Sequence, residues 1–227
     1  MDKYEITGKI EKFAPLDSQE NWDCSGWLVE TQQKDISKIM LALTVTENVL
    51  NQAIENDCDM IISHHPLFLV PLEFKNIDIY CAHTNLDKAD GGTTDTLISK
   101  LFGSDDKEKE EFLRYVNTEI SIDDFVEKLR KISPNLRYTN NSGIKNLKKI
   151  AFCAGSGSDF INQAFQNGAD AIVTGDLKFH TAIESPIVVF DIGHFESEIP
   201  VLETFEKIIG DNVEIIKAIE NSPFIYP

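Results

Sequence analysis

The sequence predicts an α/β protein built from two similar halves, and three observations support this. Strand-like apolar runs alternate with segments of helical periodicity along the 227 residues. A stretch of fifty residues recurs later in the chain with recognisable identity. Each stretch ends in the same polar pattern, a histidine followed four residues later by an acid, directly after an apolar run.

The first half contains the elements of a βαβ unit in order. KIMLALTV predicts a strand, ENVLNQAIEN a helix, MIISH and IDIYCAH two further strands, and GGTTDTLISKLFG a second helix. Strands that are separated by helices form parallel sheets, so we expect an α/β sheet here.

The second half repeats the first at a constant offset of 111 residues. Residues 38–87 and 149–198 align without a gap and share eleven identities, where chance gives about three. The strands and helices set the alignment, yet it also pairs His83 with His194 and Asp87 with Glu198. This match of polar residues therefore supports the duplication partly independently.

Residues 104–147 separate the two copies. The run SDDKEKEEF is predicted to be the solvated face of a helix, and SIDDFVEKLRKIS a helix whose start Ser121 and Asp124 mark in the manner of a capping box. We place a boundary near residue 115. The predicted domains are residues 1–115 with 200–227, and residues 116–199.

The net charge and the cysteines indicate which partners and which cellular compartment to expect. The net charge of −17 argues against nucleic acid as a partner, because binding to phosphates requires patches of lysine and arginine. We also expect no membrane partner, since no run approaches the length of a membrane helix. The cysteines show no CxxC spacing and lie in or beside apolar runs, as reduced thiols do. We expect a cytoplasmic protein.

The pair His64-His65 is predicted to lie at the carboxyl end of a strand. Neighbouring strand residues point to opposite faces, and Pro66 ends ladder pairing, which frees both rings to turn toward one site. Ligands bind at this edge of open α/β sheets. In the second half we expect a helix to begin near Ser197, with His194 in the preceding loop.

Together these residues form a set of possible metal ligands that is rich in nitrogen and oxygen and contains no sulfur. Such a set suits zinc, iron or manganese, and two ions that share a carboxylate account for its size. A single histidine is more often a hydrogen-bonded surface or core residue, and acids at helix starts are often caps. The whole set favours metal binding.

Two other motifs have open interpretations. Gly155-Ser156-Gly157-Ser158 is predicted to be either a tight strand-to-helix turn or a phosphate cradle. Asp176, Lys178 and His180 are either groups that support the metal site and donate protons, or caps of the following helix.

The segments ISHHPLF, AHTNLD, GADAIVTGDLKFH and DIGHFESE, in this order, resemble the Nif-three-like family of dinuclear-metal proteins, many of which are named GTP cyclohydrolase 1 type 2. The resemblance covers about residues 20–210. It implies an α/β fold of two interlocked, internally similar halves with the metal site between them, two divalent ions per subunit and a homohexamer. It implies metal ligation by His64, His65, Asp87, His194 and Glu198, with His83 beside them.

Two departures from the family pattern concern substrate contacts. The chain reads Trp22-Asp23-Cys24-Ser25-Gly26-Trp27 where the family usually has an Asp-Asn pair, and Leu43-Thr44-Val45-Thr46 where the family has a Leu-Asp-Val-Thr element. Both are predicted to lie away from the ligand motifs.

The implied activity is hydrolytic opening of the guanine imidazole ring of GTP. Metal-activated water attacks C8, formate is released and dihydroneopterin triphosphate forms. His83 and His180 are the candidate catalytic proton donors, with Asp87 bridging the ions. The alternatives are a metal-dependent hydrolase of another nucleotide or phosphoester, and a metal-handling or scaffold protein without turnover.

Overall fold

The computed structural model describes residues 1–103 and 107–226. Its helices are α1 (Lys3–Phe13), α2 (Glu47–Glu55), α3 (Thr84–Lys88), α4 (Thr93–Phe102), α5 (Ile122–Leu129), α6 (Ile161–Gln166), α7 (Phe179–Glu184), α8 (His194–Glu198) and α9 (Leu202–Ile209). Its strands are β1 (Gly26–Val29), β2 (Lys38–Thr44), β3 (Met60–His65), β4 (Asp78–Cys81), β5 (Glu108–Glu110), β6 (Leu113–Ser121), β7 (Arg137–Thr139), β8 (Asn146–Phe152), β9 (Ala171–Thr174), β10 (Val188–Asp191) and β11 (Glu214–Lys217). Within the described residues, no helix combines the length and the apolar character needed to cross a membrane.

The first compact unit comprises Met1–Gly92 and Val201–Asn221. Its sheet has the order β1-β4-β3-β2-β11, in which β4, β3, β2 and β11 run parallel and β1 pairs antiparallel with β4. The central strands are buried along most of their length, as expected of parallel strands made of near-continuous apolar residues. The carboxyl ends of β2, β3 and β4 therefore meet at one edge of this sheet.

The second unit comprises Thr93–Pro200 and the segment from Ser222 onward. Its sheet has the order β5-β6-β8-β9-β10-β7, with β8, β9 and β10 parallel and the other pairings antiparallel. Its core combines aliphatic side chains with buried phenylalanine rings, and Phe125 packs edge-on against Phe190 at a centroid distance of 5.1 Å. Each such buried ring contributes about 1.5–3 kcal/mol of transfer free energy.

The boundary between the units differs from the predicted position near residue 115. Tyr115 lies inside strand β6, and the preceding helix α4 also belongs to the second unit. The apolar face of α4 explains this, because Leu97 and Ile98 pack in the same core cluster as Phe125. The segment from Ser222 onward belongs to the second unit as well, whereas the prediction assigned it to the first.

The internal duplication is visible in the strand register. Ile39 pairs with Met60 in the first unit, and the residues 111 positions later, Ile150 and Ala171, pair in the second. The pairing of the third strand of each copy, β4 or β10, differs in register by one residue. Met60 pairs with Asp78, but Ala171 pairs with Val188, one residue before the position equivalent to Asp78. The copies thus share the βαββ core, with a slip of one residue at β10.

The acidic run between the copies differs from the predicted helix face in its described part. Residues 104–106 lie outside the described residues, and Glu108–Glu110 form edge strand β5. The Glu108 carboxylate forms an ion pair with the Lys149 ammonium group of strand β8, at a distance of 2.8 Å. The predicted start of α5 at Ser121 is confirmed, because the Ser121 hydroxyl accepts a hydrogen bond from the Asp124 amide at 3.1 Å.

Helix α8 begins three residues earlier than predicted. His194 is its first residue and Gly193, at φ +86°, precedes it, so His194 is helical and does not lie in a loop. Pro200 falls in the short 3-10 helix Ile199–Val201 that follows. The His-x-x-x-acid element therefore spans one helical turn, which places residues four apart on the same face.

Candidate metal centre

Three imidazoles converge at the carboxyl edge of the first sheet. His64 and His65 end strand β3, and His83 immediately precedes helix α3. One ring nitrogen from each lies within 4.8 Å of the others, a spacing that suits a shared metal ion. The ring centroids are 5.2 Å apart for His64–His65 and for His64–His83, and 5.7 Å apart for His65–His83.

The two adjacent histidines reach the same cluster because the strand ends there. His64 is fully buried and His65 is half-buried, with their rings inclined at 40° to each other. The Ser63 hydroxyl donates to the His65 carbonyl at 3.0 Å, and Pro66 follows. The prediction that this pair lies at a strand end is confirmed.

Each ring of the cluster is held through its Nδ1 atom. The His64 Nδ1 lies 2.9 Å from the Ala82 carbonyl oxygen, and the His83 Nδ1 lies 3.0 Å from the Asp23 carboxylate. Both partners are acceptors, so Nδ1 carries a proton in each ring, and Nε2 is the nitrogen left to bind a metal. This arrangement is typical of metal-binding histidines, whose second nitrogen donates to a carbonyl or carboxylate.

Asp23 is a partner that the sequence did not identify. Its side chain is buried and accepts hydrogen bonds from the Thr84 amide and hydroxyl as well as from His83. Burial opposes ionisation, but hydrogen bonds from Thr84 and His83 outweigh it and lower the pKa of Asp23 to about 2. Asp23 is therefore an anion that orients His83.

Thr44 holds the third ring of the cluster. Its hydroxyl lies 2.6 Å from the His65 Nδ1, and the two residues are register partners on β2 and β3. The half-buried carboxylate of Glu220 in turn accepts from the Thr44 amide at 2.9 Å. The prediction that the departures at residues 22–25 and at Thr44 lie away from the ligand motifs is thus wrong, since Asp23 and Thr44 contact two of the predicted ligands.

Asp87 adds a carboxylate to the first cluster. It occupies the first turn of α3, and its Oδ1 lies 3.4 Å from the His64 Nε2. The cluster therefore combines three imidazoles with one carboxylate.

In the second unit, His194 and Glu198 form a contact pair on α8. The His194 Nε2 lies 2.9 Å from the Glu198 Oε2, and its Nδ1 lies 2.7 Å from the Asp176 carboxylate. Asp176 follows β9 with a φ of +55°, a conformation in which its short polar side chain reaches His194. The sequence left open whether Asp176 supports the site or caps a helix, and this contact favours the supporting role.

The pair His194–Glu198 is strongly polarised. The hydrogen bond with Glu198 raises the pKa of His194 to about 9, against the opposing effect of burial, and Asp176 adds to the increase. A metal ion that binds this imidazole has to displace the proton.

Glycines make room for this pair. A Cβ atom added to Gly155, at φ +68°, would collide with a carboxylate oxygen of Glu198. One added to Gly175 would lie 2.7 Å from the backbone nitrogen of His194. The segment Gly155–Ser158 is therefore a tight turn. Its Gly155 and Gly157 amides donate to Ser197 and Thr174, which favours this interpretation over a phosphate cradle.

His180 lies apart from the metal-ligand contacts described for its unit. It is exposed on α7, and its described ring contact is with Phe179, at a centroid distance of 5.5 Å. The structure gives it no described contact with His194. Its predicted role as a proton donor remains a prediction.

The donor set fits a divalent transition metal. Imidazole nitrogen and carboxylate oxygen suit zinc, iron and manganese. The nearby thiol of Cys81 donates to the His64 carbonyl oxygen at 3.0 Å, and burial raises its pKa, so it remains a protonated structural group.

Comparisons with known proteins identify the family to which the chain belongs. The model of the family Duf34/NIF3 (NGG1p interacting factor 3) matches residues 1–223. A Campylobacter jejuni protein named GTP cyclohydrolase 1 type 2 homolog is 32% identical, with 98% of each chain covered. A Clostridium perfringens protein with the same name is 34% identical, with 97% of each chain covered.

A solved structure also resembles this chain in fold and sequence. The structure titled reduced HcgD from Methanocaldococcus jannaschii superimposes with a TM-score of 0.82 at 27% identity, covering 96% of this chain and 97% of that one. The family model and both relatives extend over nearly the whole sequence. The chain belongs to the Duf34/NIF3 family.

Proposed function

We propose that the protein is a metal-dependent hydrolase that binds two divalent ions per chain and opens the guanine ring of GTP, with release of formate and formation of dihydroneopterin triphosphate. The names of the relatives support the choice of reaction. The single observation that carries the metal-dependent part is the set of histidines whose Nδ1 atoms are held by protein oxygens. Such anchoring directs Nε2 lone pairs to a metal.

The ligands in this proposal are His64, His65, His83 and Asp87 in the first unit and His194 and Glu198 in the second. A bound ion supplies a Lewis acid that lowers the pKa of water to about 7. Asp23 and Asp176 keep their imidazoles oriented. In this proposal His83 is a ligand, and no residue is assigned as the proton donor to the ring nitrogen that leaves C8. His180 stays a sequence prediction for that role, since its described ring contact is with Phe179.

The first experiment combines elemental analysis with a formate assay on GTP. Protein purified without chelator is expected to contain two equivalents of zinc, iron or manganese and to release formate. His64→Ala is expected to lower the metal content and abolish formate release, while the control variant His180→Ala keeps its metal. Full formate release by His64→Ala protein after chelation would refute the proposal.

A screen of nucleoside triphosphates separates this reaction from the alternatives. Release of phosphate without formate would identify a phosphoester hydrolase, since a pair of metal ions also suits attack on phosphorus. Rapid transfer of the ions to an apo-protein acceptor, with no turnover of any nucleotide, would identify a metal-handling protein.

We also propose that the chain assembles as a homohexamer. Support comes from an exposed apolar group that follows the His-His-Pro segment, because apolar residues grouped on a surface are typical of interaction sites. Phe68, Leu69 and Leu72 are 69%, 87% and 78% exposed. Light scattering is expected to give six times the mass of the chain, and Leu69→Glu is expected to lower it.

A further inference from the structure

The second unit contains a cavity whose lining includes His194, and the proposed function assigns no ligand to it. Its volume is about 300 Å³, at the lower end of the range for small-molecule sites. This volume suits one ring system. Its lining includes the polar residues Asn135, Arg137, Asp176 and Asp191 and the aromatic residues Phe224 and Tyr226.

Arg137 is held in place at the wall of the cavity. Its Nε donates to the Asp191 carboxylate at 2.8 Å and its Nη2 to the Leu177 carbonyl at 2.8 Å. Asp191 is itself anchored by the Leu177 and Gly193 amides. The side chain of Arg137 nevertheless remains 70% exposed. A guanidinium group fixed in this way is preorganised to donate to a planar ligand.

The charges in the cavity disfavour a polyphosphate. The carboxylates of Asp176 and Asp191 lie in the same wall as the single guanidinium group, and Arg137 already pairs with Asp191. A ligand with both hydrogen-bond acceptors and donors on a neutral ring matches this wall better than a polyanion does. The amide of Asn135 adds both a donor and an acceptor.

Two aromatic side chains supply a stacking surface. Phe224 and Tyr226 line the cavity and are 65% and 51% exposed, although aromatic residues usually bury more of their area. Stacking on a flat base would cover this area. Ile225, which lies between them, is 93% exposed and does not line the cavity.

We infer that this cavity binds the guanine base of the substrate. Guanine presents the acceptors O6 and N7, to which the Nη1 group of Arg137 can donate because Asp191 and Leu177 engage Nε and Nη2, and an exocyclic amino group that donates to carboxylates. Phe224 and Tyr226 stack on the ring, while Arg137 and the acidic wall recognise its edges. This inference rests on the proposed function, in which His194 is a metal ligand. Because His194 also lines the cavity, a base bound there lies next to a metal ligand of the same unit.

Calorimetric titration of the metal-loaded protein with GMP, IMP and AMP tests the inference. The three ligands share the phosphate and ribose, so differences between them come from the base. We expect GMP to bind about tenfold more tightly than AMP, with IMP, which lacks the amino group, in between. Equal affinities for GMP and AMP would overturn the assignment.

Variants assign the effect to the cavity. Phe224→Ala and Tyr226→Ala are each expected to weaken GMP binding by about five- to hundredfold, the range of base stacking on an aromatic residue. Arg137→Lys, which removes the guanidinium group fixed by Asp191 and Leu177, is expected to reduce the preference for GMP over AMP. The matched control Ile225→Ala keeps the affinity of the wild type. Thermal unfolding curves confirm that all variants are folded.

The outcomes separate this inference from the proposed function. Selective GMP binding that Phe224→Ala weakens, without formate release from GTP, supports the base site and refutes the cyclohydrolase reaction. Formate release with an unchanged KM for GTP in Phe224→Ala and Tyr226→Ala protein supports the reaction and refutes the base site.

Discussion

The two copies of the repeated unit use the same backbone position for different chemistry. Where the first unit places His65, with Thr44 beside it, the offset of 111 residues places Asp176 and Gly155 in the second. His65 and Thr44 pair directly in the first unit, whereas Asp176 supports His194 and Gly155 makes room for Glu198 in the second. The first unit thus presents imidazoles from the strand end, and the second presents a histidine and an acid from the helix.

This difference shows how a duplicated scaffold diversifies. The His-x-x-x-acid turn is retained in both copies, since it needs only the strand-to-helix junction. The residues at the strand end differ between the copies, and each contacts a different partner in its own unit. Substitutions at these positions test which partner each unit depends on.

The largest effect is expected from Gly155→Ala. The added Cβ collides with the Glu198 carboxylate, so the second unit loses its metal ligand geometry, and we expect more than about a hundredfold loss of metal affinity there. Gly168→Ala is the matched control, because Gly168 has a similar φ of +77° and no atom within 4 Å of the added Cβ. It is expected to cost only the backbone strain of about 1–2 kcal/mol in unfolding free energy. Equal metal affinities in the two variants, measured by competition with a chelating dye, would contradict the role of Gly155.

A smaller effect separates the two supporting carboxylates. Asp23→Asn is expected to lower metal affinity in the first unit by about a hundredfold, and Asp176→Asn in the second by about tenfold. The ranking follows from burial, since the Asp23 side chain is fully buried and that of Asp176 is 45% exposed, where water can replace it. Dye competition at constant pH measures both. An equal or reversed ranking would show that burial does not set the strength of the support.

The polarised pair of the second unit predicts a pH dependence in metal-free protein. The pKa of His194 is raised to about 9, so its stabilising charge interaction is fully present below pH 6.5 and is lost as the pH rises through 9. The His194 side chain is 33% exposed, so solvent screens the interaction, and we expect it to contribute about 2 kcal/mol to the free energy of unfolding. Urea unfolding of wild type and His194→Gln at pH 6 and pH 10 measures it. The difference in unfolding free energy between the two proteins should shrink at pH 10, and a constant difference would contradict the assignment.

The smallest effect is expected from His180→Ala. The residue is exposed and its described ring contact is with Phe179, so we expect less than about a threefold change in formate release and no change in metal content. His83→Ala, in contrast, is expected to lose metal from the first unit. A large loss of turnover in His180→Ala at full metal occupancy would restore His180 as a proton donor.

Much of the fold could be predicted from the sequence because its signals are local. Apolar runs such as KIMLALT identify buried strands, and the constant offset between the copies carries over to the pairing of Ile39 with Met60 and of Ile150 with Ala171. Ser121 marked the start of its helix through a hydrogen bond to a residue only three positions away. The acidic run at 108–110 misled the prediction, because a charged strand at a sheet edge has the same composition as a solvated helix face.

The supporting residues of the site could not be predicted in the same way. Asp23 lies sixty residues before His83 and Thr44 twenty-one before His65, and neither stands at a spacing that indicates a metal site. Asp23 carries no periodic or motif signal, since its partners come together only after β4 and α3 are in place.

By itself the sequence determined the two copies, their strands and the residues with metal-binding side chains, because hydrophobic periodicity and side-chain chemistry belong to short stretches of chain. Only the tertiary structure decided which oxygen holds each imidazole, where α8 begins and which glycine makes room for Glu198. Those features depend on distances of a few ångströms between segments that are far apart in sequence, and such distances are set by packing.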